Sequence, residues 1–215
     1  CLNNPLIAID IDGLYPKFLL KFHKAGFFRS DYYTLRPSAA YLLSEISGVN
    51  SEYIKNVNII KRGFGKYIPL YDTNQGGGAI TLGDGPYSAA IYLTENYFED
   101  NPTAYNNNGY GQDLYNWIGL LSHEVKHLDH IKNSNGKGRY ILSFGLDYLR
   151  YGHDNTPREK EAINKFNSFK SFWKYVNKNY GKNALEKLFQ NEQSETLIIE
   201  TLKQWLYEYR ENEKK

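Results

Sequence analysis

The chain of 215 residues holds a single cysteine, Cys1, and no methionine. One thiol forms no intrachain disulfide, so no disulfide framework holds this fold together. Without methionine the numbered chain does not open at a translation start, and a removed preceding segment is the expectation. No run of 18 or more apolar residues occurs, which excludes a membrane-spanning helix. Charge of one sign is also missing: 26 Lys and Arg against 24 Asp and Glu leave a formal +2. With lysines merely scattered toward the C-terminus, a nucleic-acid partner is not expected.

What is present is a globular composition, 41% hydrophobic with 20 tyrosines, long enough for one domain with a sizeable core. The chemistry concentrates at Leu120–His130, LLSHEVKHLDH. His123-Glu124-Val125-Lys126-His127 is an H-E-x-x-H pattern. Two histidines four apart on a helix lie on one face, so both imidazoles reach one metal ion. Glu124, next to the first histidine, then faces the fourth coordination position, where a water sits. Zinc lowers the pKa of such a water to about 7, and a carboxylate takes its proton as it attacks a carbonyl. His130 lies a further turn along, about 10 Å from His123 on an unbroken helix, too far to share the ion. The longer pattern with a third histidine on the same strand of sequence requires Gly at 130 and His at 133, and the chain has His130 and Asn133. His130 is therefore read as a supporting or surface residue. Catalytic zinc needs a third protein ligand, so another helix must supply it.

Around this motif the chain reads as follows. Leu6–Gly13 is a short strand with Asp10 and Asp12 as turn residues, since the calcium-loop pattern fails. Leu14–Phe28 has helical apolar spacing, and His23 within it has no special role. A helix runs from Pro37 to about Ser47 and ends at Gly48. Val57–Ile60 is a strand, Lys61–Gly65 a loop, and Gly76–Gly78 a turn. Ala79–Leu82 and Ala89–Leu93 form a hairpin across Gly83-Asp84-Gly85-Pro86. Residues 95–111 are a surface loop. The motif helix spans about Gln112 to Lys132, with an apolar stripe of Leu114, Trp117, Ile118, Leu121, Val125 and Leu128, and Asn133–Gly136 stops it. Arg139–Tyr151 reads as a buried, partly helical connector. Thr156 is an N-cap with Pro157 in the first turn and Glu159 three residues on, opening a helix to about Asn179. A last helix runs from about Ala184 to Glu211.

HEVKH followed by Asn155-Thr156-Pro157-Arg158-Glu159-Lys160-Glu161-Ala162, and preceded by Ala79-Ile80-Thr81-Leu82-Gly83, resembles the glutamate-type zincin metallopeptidases (gluzincins), in particular small bacterial metallopeptidase-like domains. The resemblance covers roughly residues 57–170. It implies a zincin-like fold in which the ligand glutamate, three residues before the helix alanine, is Glu159. Those enzymes often carry Asp after that alanine, where this chain has Ile163, and Glu161 stays as the alternate ligand. Glu159 is also read as a capping-box residue. By the same resemblance Tyr151 or His153 donates a hydrogen bond to the oxyanion of the tetrahedral intermediate, and the hairpin corresponds to the sheet whose edge strand pairs with extended substrate. A chain beginning with cysteine is similar to a mature bacterial lipoprotein. That implies a lipid anchor at Cys1 without a transmembrane span, and an extracytoplasmic or secreted protein.

The expectation is a single α+β domain over 1–215. A helical extension to about 56 precedes a small mixed sheet region with an edge hairpin to 110, metal-binding helices over 111–180 and a C-terminal helix. The expected function is zinc-dependent hydrolysis of a peptide or protein substrate, with Zn²⁺ on His123, His127 and Glu159 and with Glu124 as general base. The alternatives are a non-catalytic zinc-containing surface lipoprotein acting as a binding or structural module, and a metal-free interaction protein.

Overall fold

The computed structural model describes residues 19–24, 31–61, 79–93, 114–152, 155–191 and 194–214. Among them are five short strands and seven helices, an α+β architecture. The sheet contains β1 (Leu20–His23), β2 (Tyr32–Leu35), β3 (Asn58–Lys61), β4 (Ala79–Leu82) and β5 (Ala90–Leu93). Their order is β1-β2-β3-β5-β4, antiparallel except for the parallel β3–β5 pair, so the sheet is mixed. Parallel β3 and β5 need a crossover, and the hairpin partner β4 is the edge strand of the sheet among the described residues. The register pairs Thr81 with Ile91 and Leu82 with Ala90. Gly83 turns the hairpin where a Cβ would stand only 2.5 Å from the Ala89 backbone, a close approach that glycine alone permits.

The helices are α1 (Pro37–Ser47), α2 (Ser51–Asn56), α3 (Leu114–Asn133), α4 (Lys137–Tyr151), α5 (Pro157–Tyr180), α6 (Ala184–Gln190) and α7 (Glu195–Glu213). Pro37 opens α1 and Gly48 ends it in the left-handed conformation at φ 74°, as the sequence predicts. Arg36 gives α1 no side-chain cap. Glu195 of α7 supplies one instead, accepting the Ser38 backbone N–H at 2.8 Å, a carboxylate on the positive end of the helix. The core joins α1, α3, α5 and α7 to the inner face of the sheet through residues such as Leu42, Ile59, Ile91, Trp117, Leu121, Phe169 and Phe172, all buried.

Helices α3 and α5 lie against each other because Gly119 has no side chain. A Cβ there would meet the Phe166 ring at 2.4 Å. Ser122 Oγ, on the next turn of α3, donates to the Gly119 carbonyl at 2.7 Å and stays buried in the same seam. This contact sets the histidines of α3 opposite the first turn of α5. No helix among the described residues is long and apolar enough to cross a membrane.

Four expectations are corrected. Leu14–Phe28, read as helical, contains strand β1, which pairs with β2. The segment to residue 56 is therefore more than a helical extension, because it contributes two strands to the sheet. Arg139–Tyr151, read as a buried connector, is fully helical, and of its side chains only Tyr140 is buried; Leu142, Leu146 and Leu149 are 65%, 60% and 81% exposed. The last helix is two, α6 and α7, broken before the cap Ser194, whose Oγ accepts the Leu197 N–H. The expectations for Cys1, Leu6–Gly13, Gly76–Gly78 and residues 95–111 lie outside the described residues.

Candidate metal centre

His123 and His127 share one face of α3, and both Nε2 atoms turn to the same point, 3.3 Å apart. Glu159 completes the group from α5. Thr156 caps that helix in an extended conformation, its Oγ1 accepting the Glu159 N–H at 3.1 Å, with Pro157 following. The backbone of Glu159 is thus capped, and its carboxylate lies against the two histidines. Its Oε2 lies 3.2 Å from His123 Nε2 and its Oε1 3.4 Å from His127 Nε2. Thr156 is the cap of the helix, and the Glu159 carboxylate meets the two histidines. Together His123, His127 and Glu159 could hold a metal ion. Glu159 and His127 are each only 4% exposed; the His123 side chain is more exposed, at 18%.

Glu124 stands beside this cluster and outside it. Its Oε1 is 3.9 Å from His123 Nε2. Its Oε2 accepts the Thr81 hydroxyl at 2.7 Å, and the same hydroxyl lies 3.1 Å from the Glu124 carbonyl. Thr81 is the one strand residue of β4 that is fully inside, 2% exposed. The edge strand thereby fixes the carboxylate next to the histidines and lies alongside α3 itself.

Behind His127 lies a second set of partners. His130 Nδ1 is 3.1 Å from His127 Nδ1, and Tyr140 Oη is 3.4 Å from the same atom. His130 Nε2 meets Glu161 Oε2 at 2.8 Å. Glu161, the alternate ligand, therefore engages His130 and not the cluster. Arg158 lies over the Tyr140 ring, its carbon 5.6 Å from the centroid.

The charges follow this arrangement. Burial pulls the His123 imidazole down, but the hydrogen bond to Glu159 and the charges of Glu124 and Glu159 outweigh it, and its pKa lies above the usual 6.5. Burial of His130, aided by the positive charges of Lys126 and Arg158, outweighs the pull of Glu161 and holds its pKa down, so the ring is neutral. The bond from that ring holds the Glu161 carboxyl below its ordinary range. Burial, with the charges of Glu124 and Glu159, pushes the Tyr140 phenol well up, so it stays a neutral hydroxyl.

Of the two residues expected to bind an oxyanion, Tyr151 sits at the exposed end of α4, where Arg150 covers its ring, and makes no hydrogen bond to the cluster. His153 lies outside the described residues. Thr81 and Tyr140 are the site residues that the sequence reading missed. A polar residue at the inward position of an apolar strand was the available signal for Thr81. For Tyr140 there was none, because a tyrosine among 20 carries no mark of its own. Searches against protein-family models, curated proteins and solved structures give no match for this chain.

Proposed function

We propose that the chain is a zinc-dependent peptidase of the glutamate zincin type. The observation that carries this reading is the cluster of candidate ligand atoms: the two Nε2 atoms lie 3.3 Å apart, one Glu159 oxygen lies 3.2 Å from that of His123 and the other 3.4 Å from that of His127. Ligands about 2.0–2.1 Å from zinc in a regular tetrahedron lie about 3.3–3.4 Å apart. Among the described residues the donor set is two imidazoles and one carboxylate, three protein ligands as in catalytic zinc sites, whose fourth position takes a water. Imidazole nitrogen also suits other first-row ions, but the absence of thiolate and the small coordination number favour zinc over copper(I), calcium and magnesium.

A bound zinc ion supplies Lewis acidity, polarising a carbonyl and acidifying a water. The chain does the rest. His123, His127 and Glu159 hold the ion with three ligands from two helices that the Gly119–Phe166 contact locks together. Glu124 Oε1 lies on the same side as His123 Nε2 and accepts the proton of the attacking water, then passes it to the leaving amine. Thr81 ties the other oxygen, so the base keeps one orientation through both transfers. Strand β4, last in the sheet order among the described residues, lies beside the site, and an extended peptide would add to the sheet there as a further strand. A peptide bond beside His123 would then lie next to the general base.

The test uses a fluorescence-quenched peptide library and the zinc-loaded chain. Glu124→Gln keeps its zinc and lowers hydrolysis by about 10²–10⁴-fold, the usual worth of a general base. Zinc bound by the wild type with no cleavage of any library member, or a Glu124→Gln chain as active as the wild type, would contradict a peptidase. Cleavage lost only through loss of zinc would contradict the role of Glu124.

A further inference from the structure

The two ring nitrogens of His127 have different neighbours. Nε2 faces His123 and Glu159. Nδ1 lies 3.1 Å from His130 Nδ1, and the His130 ring continues through Nε2 to Glu161 Oε2 at 2.8 Å. A neutral imidazole carries one N–H and one lone pair, and a carboxylate only accepts. That fixes the order of protons along the chain. His130 Nε2–H donates to Glu161, which leaves a lone pair on His130 Nδ1. That lone pair accepts His127 Nδ1–H, which leaves the lone pair of His127 on Nε2. This assignment follows from the hydrogen-bond network. With the proton of His130 on Nδ1 instead, its Nε2 lone pair would face a carboxylate at 2.8 Å.

We propose that Glu161 and His130 are positioning residues, acting through a chain of two imidazoles to hold His127 in the Nδ1–H tautomer with its Nε2 lone pair directed at the metal ion. The inference rests on the metal-site reading above and deepens it. Helix α5 then serves both sides of His127: Glu159 shares the ion, and Glu161 anchors the far end of the chain. Carboxylates behind ligand histidines orient the ring and raise its basicity; here an extra imidazole spans the gap. The links differ in exposure. His130 is 7% exposed, whereas the Glu161 side chain is 60% exposed, so water substitutes for Glu161 more readily than for His130. Tyr140 Oη, at 3.4 Å from His127 Nδ1, is the longer contact and does not replace the His130 link.

The experiment measures zinc affinity by competition with a chromogenic chelator for the wild type, His130→Phe, His130→Asn and Glu161→Ala. Loss of an outer partner of a ligand typically costs about 10–100-fold in metal affinity. His130→Phe, which fills the space without an acceptor, shows a loss of that size. His130→Asn keeps an acceptor oxygen near the Nδ1 position and binds closer to the wild type than to His130→Phe. Glu161→Ala loses less than His130→Phe. A long-range ¹H–¹⁵N spectrum of the zinc-loaded wild type, which needs no variant, shows His127 protonated at Nδ1 and ligated through Nε2. Equal affinity across all four proteins, or His127 ligated through Nδ1, overturns the proposal while leaving the metal site standing. A wild type that binds no zinc overturns the metal site and the proposal together.

Discussion

Glu124 is a carboxylate buried to 4% exposure, held by one hydroxyl from the sheet at 2.7 Å. Bonds to charged groups contribute about 1.5–3 kcal/mol each. Thr81→Val, which conserves shape and removes that donor, is therefore expected to lower stability by about 1.5–3 kcal/mol. It also frees the carboxylate to turn, so hydrolysis falls while zinc content stays. Urea unfolding and metal analysis on the same preparation check both halves, and unchanged stability with unchanged turnover would sink the role assigned to Thr81. His123 sets the pH response. Its pKa is raised above 6.5 by Glu159 and Glu124 in spite of burial. In chelator-treated protein the stability from that proton is fully present below the ordinary pKa and is lost as pH rises through the raised one. Zinc takes the same lone pair, so its affinity rises with pH over that window and falls on acidification. Zinc titrations from pH 5 to 8 (about the range over which histidine charge changes) check this. Affinity independent of pH there would show that His123 is no ligand.

Among the elements, the α3–α5 seam decides whether the three candidate ligands meet. Gly119→Ala gains up to about 1 kcal/mol of helix propensity, but the new Cβ stands 2.4 Å from the Phe166 ring. Overpacking of a tight contact costs about 1–3 kcal/mol, so net destabilisation with weaker zinc binding is expected, partly restored by pairing it with Phe166→Leu. A Gly119→Ala chain more stable than the wild type by urea unfolding would show that the seam has slack. The elements that were legible in the sequence carry local punctuation. Pro37 and Gly48 bracket α1, Asn135 and Gly136 at positive φ stop α3, Thr156 and Pro157 open α5, and the glycines around Asp84 mark the hairpin. Those that were not legible depend on distant partners. Leu20–His23 is a strand because β2 pairs with it, and its short apolar run fits either period. Helix α4 has core-like leucines that remain exposed, and nothing local distinguishes them from buried ones. Ser194 is a cap that the apolar pattern on both sides of it overrode.

At the scale of the whole molecule, the site gathers residues from three parts of the chain. Thr81 comes from the sheet edge, Glu124 and the two histidines from α3, and Glu159 from α5; Thr81 and Glu124 lie 43 residues apart. The histidine pair was legible as a candidate metal pair because its spacing is local, and Glu159 as the candidate third ligand because a resemblance and a helix cap pointed to it. The residues around that cluster, Thr81 on Glu124 and Tyr140 and the link from His130 to Glu161 behind His127, come together only in three dimensions. The central claim is a metal centre on His123, His127 and Glu159, and metal content measured by elemental analysis after incubation with zinc and gel filtration tests it most directly. The account predicts about one zinc per chain, as a three-ligand site requires, in the wild type and in Glu161→Ala, and almost none in His123→Ala or Glu159→Ala. A wild type without zinc, or a Glu159→Ala chain that retains it in full, would contradict the account.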